Sequence, residues 1–184
     1  LMPDRNELAL IDWIRQQAHP VDALRVGIGD DAAVWQTRGQ QLLLTMDVLM
    51  EGVDFLFPEA SAELVGRKAM AVNLSDIAAM AGRPLAALVG VALPRSRGFE
   101  FAQQLQTGMQ SVAEQFQVTI IGGDTNIWDG PLVISITVMG EATERGPVRR
   151  SGAKPGDWLF VTGPLGGSIL GKHLTFTPRI HEAL

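Results

Sequence analysis

Five aspartates stand where apolar segments meet turns or other polar residues: Asp30 and Asp31 in "GIGDDAAV", Asp47 closing "LLLTMD", Asp76 inside "AVNLSDIAAM", and Asp124 in "IIGGDTN". No lysine or arginine is adjacent to any of them in sequence. Carboxylates without a local counter-charge are the ligands that hard divalent cations such as Mg²⁺ take, alongside hydroxyls, waters and substrate phosphates, so the set reads as a metal and phosphate site. Aspartates also commonly open turns, and that reading stays open for Asp30, Asp31 and Asp124. Asp76 is different. It lies three residues after Asn73 in a run of alanine, valine, leucine and isoleucine, so on a helix the two polar side chains share one face. A carboxylate in such surroundings needs a counter-charge, a distant Lys or Arg or a cation, because leaving it unpaired costs several kcal/mol.

The elements that must position these residues are partly visible. Leu8, Ile11 and Ile14 predict a helix through "NELALIDWIRQQA", and "QLLLTMD" predicts a strand ending on Asp47. Ser61 is suited to cap the Asp76 helix, Glu63 favours its first turn, and Gly82 with Pro84 ends it. "LAALVGVALP" reads as a strand. Ala102, Leu105, Met109, Val112 and Phe116 repeat at 3-4-3-4 spacing, a further amphipathic helix. "VTII" predicts a strand running into the "GGDTN" turn, and "PLVISITVMGEA" a longer one, apolar on both faces and so expected inside a sheet or between layers. In "GGDT" the glycines would let backbone N–H groups approach an anion beside the carboxylate.

Bulk properties narrow the classes. The chain has 184 residues, 46% hydrophobic, a formal charge of −5 and no cysteine. Disulfides, thiolate metal sites and cysteine nucleophiles are excluded. The acidic balance disfavours a nucleic-acid partner. No run reaches the roughly 18 apolar residues of a membrane span and no signal peptide is evident, so no membrane partner and a cytoplasmic location are expected. "TERGPVRRSGAKPGD" (143–157) has the composition of an interdomain connection. The expected organisation is one domain at 1–145, a linker at 146–157, and the start of an incomplete second domain at 158–184. "GGSILGKH" imitates a phosphate loop, but His173 stands where that loop needs Ser or Thr, and close packing at a turn is preferred. The histidines are scattered, and Arg149 and Arg150 are phosphate clamps or solvated linker charge.

In order and spacing, "GIGDDAAV", "LTMDVLMEGVDF", "KAMAVNLSDIAAMAGRP", "IIGGDT" and "RRSGAKPGDWLFVTG" resemble the thiamine-monophosphate kinase family, within the superfamily of aminoimidazole ribonucleotide synthetase. The resemblance implies an α+β fold, a mixed sheet packed with helices, the sheets of two copies pairing into a barrel in a homodimer. It implies transfer of the γ-phosphoryl of ATP to thiamine monophosphate with several Mg²⁺ ions. Asp31, Thr45, Asp47, Asp76 and Asp124 would be metal ligands, Gly123 and Arg150 would contact the nucleotide, and Asp54 would face the substrate. No catalytic residue is implied, because the acceptor phosphate oxygen is already anionic and needs no general base. Met46 departs from the family where a second hydroxyl residue is usual, Asp54 stands where a histidine is common, and the "SDG"-type motif of the family's second domain falls outside these 184 residues. Two further readings are a carbamoyl-transferring hydrogenase-maturation protein of the same superfamily and a non-catalytic nucleotide-binding dimerisation module.

Overall fold

The structure is a computed structural model and describes residues 14–16, 21–161 and 163. Most of the expected first helix, the phosphate-loop imitation at 166–173 and all three histidines lie outside the described residues. Within them run β1 (Leu24–Val26), β2 (Ala33–Gln36), β3 (Gln41–Met50), α1 (Ala62–Ala79), β4 (Gly82–Pro94), α2 (Phe99–Gln115), β5 (Thr119–Trp128) and β6 (Val133–Ala142), followed by a 3₁₀ turn at Arg150–Gly152. The strands form one mixed sheet in the order β1-β2-β3-β6-β4-β5, antiparallel except for the β4–β5 pair.

Alternation along β3 decides what each face of the sheet does. Leu43, Thr45 and Leu49 are buried with Asp47 half-buried between them, while Leu44, Met46, Val48 and Met50 on the other face are exposed. In a strand successive side chains point to opposite faces, so the first set faces the helices and the second faces away. The covered face continues across the sheet through Ile134, Ile136 and Val138 of β6 and Ala87 and Val89 of β4, all buried. The expectation that β6 lies inside the sheet holds, since it is paired on both sides.

Helix α1 lies on the covered face against β3, β6 and β4, and α2 packs mainly against α1. Ser61 caps α1 as expected, its hydroxyl accepting from the Leu64 N–H at 3.2 Å. The two helices approach closely at glycines: a Cβ on Gly66 would lie 2.1 Å from the Leu105 carbonyl oxygen, and one on Gly108 would lie 2.0 Å from that of Glu63. Arg67 adds a 2.8 Å hydrogen bond to the Ser111 hydroxyl across the same contact. Among the described residues no helix is long and apolar enough to cross a membrane.

Two strands end later than the sequence pattern predicts. Strand β3 does not stop at Asp47 but runs on to Met50, because β6 pairs with it along its whole length. Strand β5 does not stop before "GGDT" but continues through it to Trp128, because β4 offers a parallel partner from Ala86 to Pro94. Asp47 and Asp124 are therefore mid-strand residues rather than strand ends.

Candidate metal and phosphate site

Strand β2 pairs with β3 only as far as Leu44. Beyond that point β3 has no strand partner on that side among the described residues, and the notch is filled by polar side chains. The Asp47 N–H donates to Asn73 Oδ1 at 2.9 Å, while Asn73 Nδ2 donates to the Ala69 carbonyl one turn back at 2.9 Å. Asn73 is fully buried, so without those partners its amide would carry an unpaid desolvation cost. The Thr45 hydroxyl sits 2.6 Å from Asp76 Oδ2 and 3.3 Å from the Asp31 carbonyl oxygen. Residue Asp31 reaches that point because it lies two residues before the start of β2, on the edge of the notch.

The third contact was not anticipated from sequence. Lys68, eight residues before Asp76 on α1, donates from Nζ to the Asp54 carbonyl at 2.6 Å. Thr45, Lys68 and Asn73 are the buried polar or charged residues among those described, and all three lie on the contact between α1 and β3 or the turn that follows β3. Each turn of α1 over this stretch therefore ties down one point: Lys68 to residue 54, Asn73 to residue 47, Asp76 to residue 45. The signal available in sequence was a lone lysine in the apolar run "KAMAV", which snorkelling at a surface explains equally well.

Charge is arranged unevenly along this contact. Burial, together with the charges of Asp76 and Asp54, holds the Asp47 carboxyl above its ordinary value. Burial pulls Lys68 down to about 8, with Asp54 acting in the opposite sense. Asp31 is paired with Arg150, whose Nη2 lies 2.5 Å from one carboxylate oxygen and whose Nε lies 3.3 Å from the other. That hydrogen bond lowers the Asp31 carboxyl, against the opposing effect of burial. The Arg150 backbone N–H also donates to Asp30 at 3.3 Å.

The structure thus brings Asp31, Thr45, Asp47, Asp76 and Arg150 to one notch, with Asp54 at its far end. It places Asp124 elsewhere. Asp47 shares a row with Ile136, Val89 and Gly123, so Gly123 is three strands away, about 14 Å at ordinary strand spacing. Asp124 pairs with Gly90 in the neighbouring row, which belongs to the uncovered face, and its carboxylate accepts from Asn126 Nδ2 at 3.0 Å. Gly123 has a packing reason to be glycine, since a Cβ there would lie 1.8 Å from the Val89 carbonyl oxygen.

Among the described residues no three acidic or histidine side chains gather tightly enough to enclose an ion. The donor chemistry nevertheless fits a hard cation: carboxylates and a hydroxyl, with two like charges already raising Asp47.

The chain belongs to the AIR synthase related protein family, N-terminal domain, whose profile matches residues 29–142. Within that family it is 45% identical to the thiamine-monophosphate kinase of Rhodopirellula baltica over 96% of this chain and 58% of that protein. The structure of AaThiL complexed with AMPPCP and TMP superposes with a TM-score of 0.73 at 34% identity, covering 84% of this chain and 48% of that one. The hydrogenase maturation protein HypE in complex with ATP shares the fold alone, at 22% identity and a TM-score of 0.51 over 79% of this chain and 43% of that chain. The chain spans about half the length of the relatives it matches.

Proposed function

We propose that this domain supplies the metal and nucleotide half of an enzyme that phosphorylates thiamine monophosphate to thiamine diphosphate at the expense of ATP. The observation that carries the reading is the notch itself, where a buried asparagine and a buried threonine are spent on holding Asp47 and Asp76 together. A fold that needed only stability would fill that place with apolar side chains, because buried polar groups seldom improve stability over well-packed hydrophobic ones. The similarity to thiamine-monophosphate kinases, exceeding that to hydrogenase-maturation proteins, supports this substrate pair over the alternatives.

Asp31, Thr45, Asp47 and Asp76 would hold Mg²⁺. A cation held there would supply neutralisation of the phosphate charge that opposes transfer. Arg150, now paired with Asp31, would leave it to meet the nucleotide phosphates, which would leave the Asp31 carboxylate able to hold the cation. Because the acceptor is a phosphate monoester, its oxygen is already charged and no side chain has to remove a proton. What the protein contributes is alignment and relief of repulsion between two polyanions. Asp54 lies at the acceptor end. Asp124, with Gly123, would serve the nucleotide at a position apart from the notch. Residues 146–157 would connect to a second domain begun at 158–184, and the uncovered apolar face of the sheet would meet a second copy of the chain in a homodimer.

The test is thiamine diphosphate formation from ATP, Mg²⁺ and thiamine monophosphate by the full-length gene product. Turnover is expected, with a loss of about a hundredfold or more in Asp47→Asn. A folded full-length protein that forms no thiamine diphosphate would overturn the reading. Val48→Lys, on the uncovered face, is expected to shift the protein from dimer to monomer in sedimentation.

A further inference from the structure

Lys68 is a buried cation that the proposed chemistry does not use. Its Nζ donates to the Asp54 carbonyl at 2.6 Å. The turn that carries Asp54 is otherwise held by its own backbone: the Val53 and Asp54 N–H groups both donate to the Met50 carbonyl, at 3.1 and 2.9 Å, and Gly52 N–H donates to Phe55 O at 2.9 Å. The Asp54 carboxylate turns back to accept from the Met50 N–H at 2.8 Å. Glu51 anchors the start of the turn, accepting from the Leu132 N–H at 3.0 Å, and Phe55 is buried at its end. Lys68 ties the middle of this turn to α1.

Position along the helix gives that tie a direction. From Lys68 to Asp76 is about 12 Å of helix at 1.5 Å per residue. Arg150 and Asp31 gather at the Asp76 end, Asp47 lies between, and Asp54 lies at the Lys68 end. If nucleotide phosphates meet Arg150 and Asp31, in-line transfer carries the phosphoryl group along the notch away from them, toward Asp54. We infer that Lys68 is a positioning residue for the acceptor: it fixes the 51–55 turn, and with it the placement of Asp54, so that thiamine monophosphate binds at that end of the notch. This rests on the phosphoryl-transfer reading above.

The experiment measures two affinities separately by calorimetry on the full-length protein with Mg²⁺, one for thiamine monophosphate and one for AMPPCP. In Lys68→Met the affinity for thiamine monophosphate is expected to fall about tenfold, as for loss of one charge-assisted hydrogen bond, with AMPPCP affinity within about twofold. Lys68→Arg, which keeps a charged donor, is expected to recover most of the loss. Equal weakening of both ligands, or of neither, in folded Lys68→Met would overturn the role of Lys68 while leaving the kinase reading intact. Wild-type protein that binds neither ligand would overturn both. Should Lys68→Met fail to fold, Lys68→Gln decides: a shorter, uncharged donor that no longer reaches the Asp54 carbonyl must weaken thiamine monophosphate more than AMPPCP, and equal effects on the two ligands would overturn the inference.

Discussion

Helices α1 and α2 are of similar length and pack against each other, yet they treat polarity in opposite ways. Helix α2 keeps one side for the core, with Leu105, Met109, Val112 and Ala113 buried, and gives the other to glutamines and glutamates. Helix α1 is pressed between the sheet and α2, so its buried residues spread around much of its circumference, and they include Lys68 and Asn73. Where a helix has a solvent face, polar residues go there at no cost. Where it has little, each polar residue inside must be matched by a partner, and among the described residues no buried side-chain nitrogen or oxygen lacks one. Polar residues on α2 therefore say little about function, while those inside α1 mark the candidate site.

The comparison breaks most severely where the helices touch. Gly108→Ala places a methyl group against the Glu63 carbonyl and should cost more than about 3 kcal/mol in urea unfolding, since neither backbone can yield without moving its helix. Polar residues inside α1 come next. Asn73→Ala strips the Asp47 N–H of its acceptor and opens a void, with an expected loss of about 2 to 3 kcal/mol in the same measurement. Lys68 makes the contrast dependent on pH. Its folded value of about 8 lies below the unfolded 10.5, so the stability it contributes is complete above 10.5 and is lost as pH falls through about 8. Wild type should thus lose up to about 3 kcal/mol relative to Lys68→Met between those limits, measured by thermal unfolding at several pH values. The smallest effect belongs to α2: Gln106→Ala, on its exposed side, should change stability by less than about 0.5 kcal/mol.

Much of this contrast could be read before the structure. The α2 stripe is a plain 3.6-residue repeat, and Asp76 stood out because its neighbours made a charge expensive. Asp47 stands out at the end of its apolar run and Thr45 by resemblance, but the notch that gathers them depends on β2 ending early, and the sequence pattern shows neither β1 nor β2. Both are short, and the glycines and aspartates of "GIGDD" between them look like an open loop. The continuation of β3 to Met50 was hidden because Met46, Val48 and Met50 are apolar on the uncovered face, which blurs the two-residue alternation. Strand β5 passes through Gly122 and Gly123 only because β4 lies beside it, a parallel pairing between distant segments that local turn signals cannot report. Lys68 was missed because its partner is a backbone carbonyl, which leaves no trace in residue type.

The contact between Arg150 and Asp31 has a consequence for the polypeptide that follows it. Val148 N–H is already bonded to the Met80 carbonyl at the end of α1, and Arg150 is fastened to the edge of the notch two residues later. The chain therefore leaves the domain from a fixed point next to the carboxylates. Ten residues beyond such an anchor span at most about 33 to 36 Å even when fully extended, so whatever they carry stays within that radius of the site. Breaking the anchor would free that segment to move away without removing a single carboxylate from the notch.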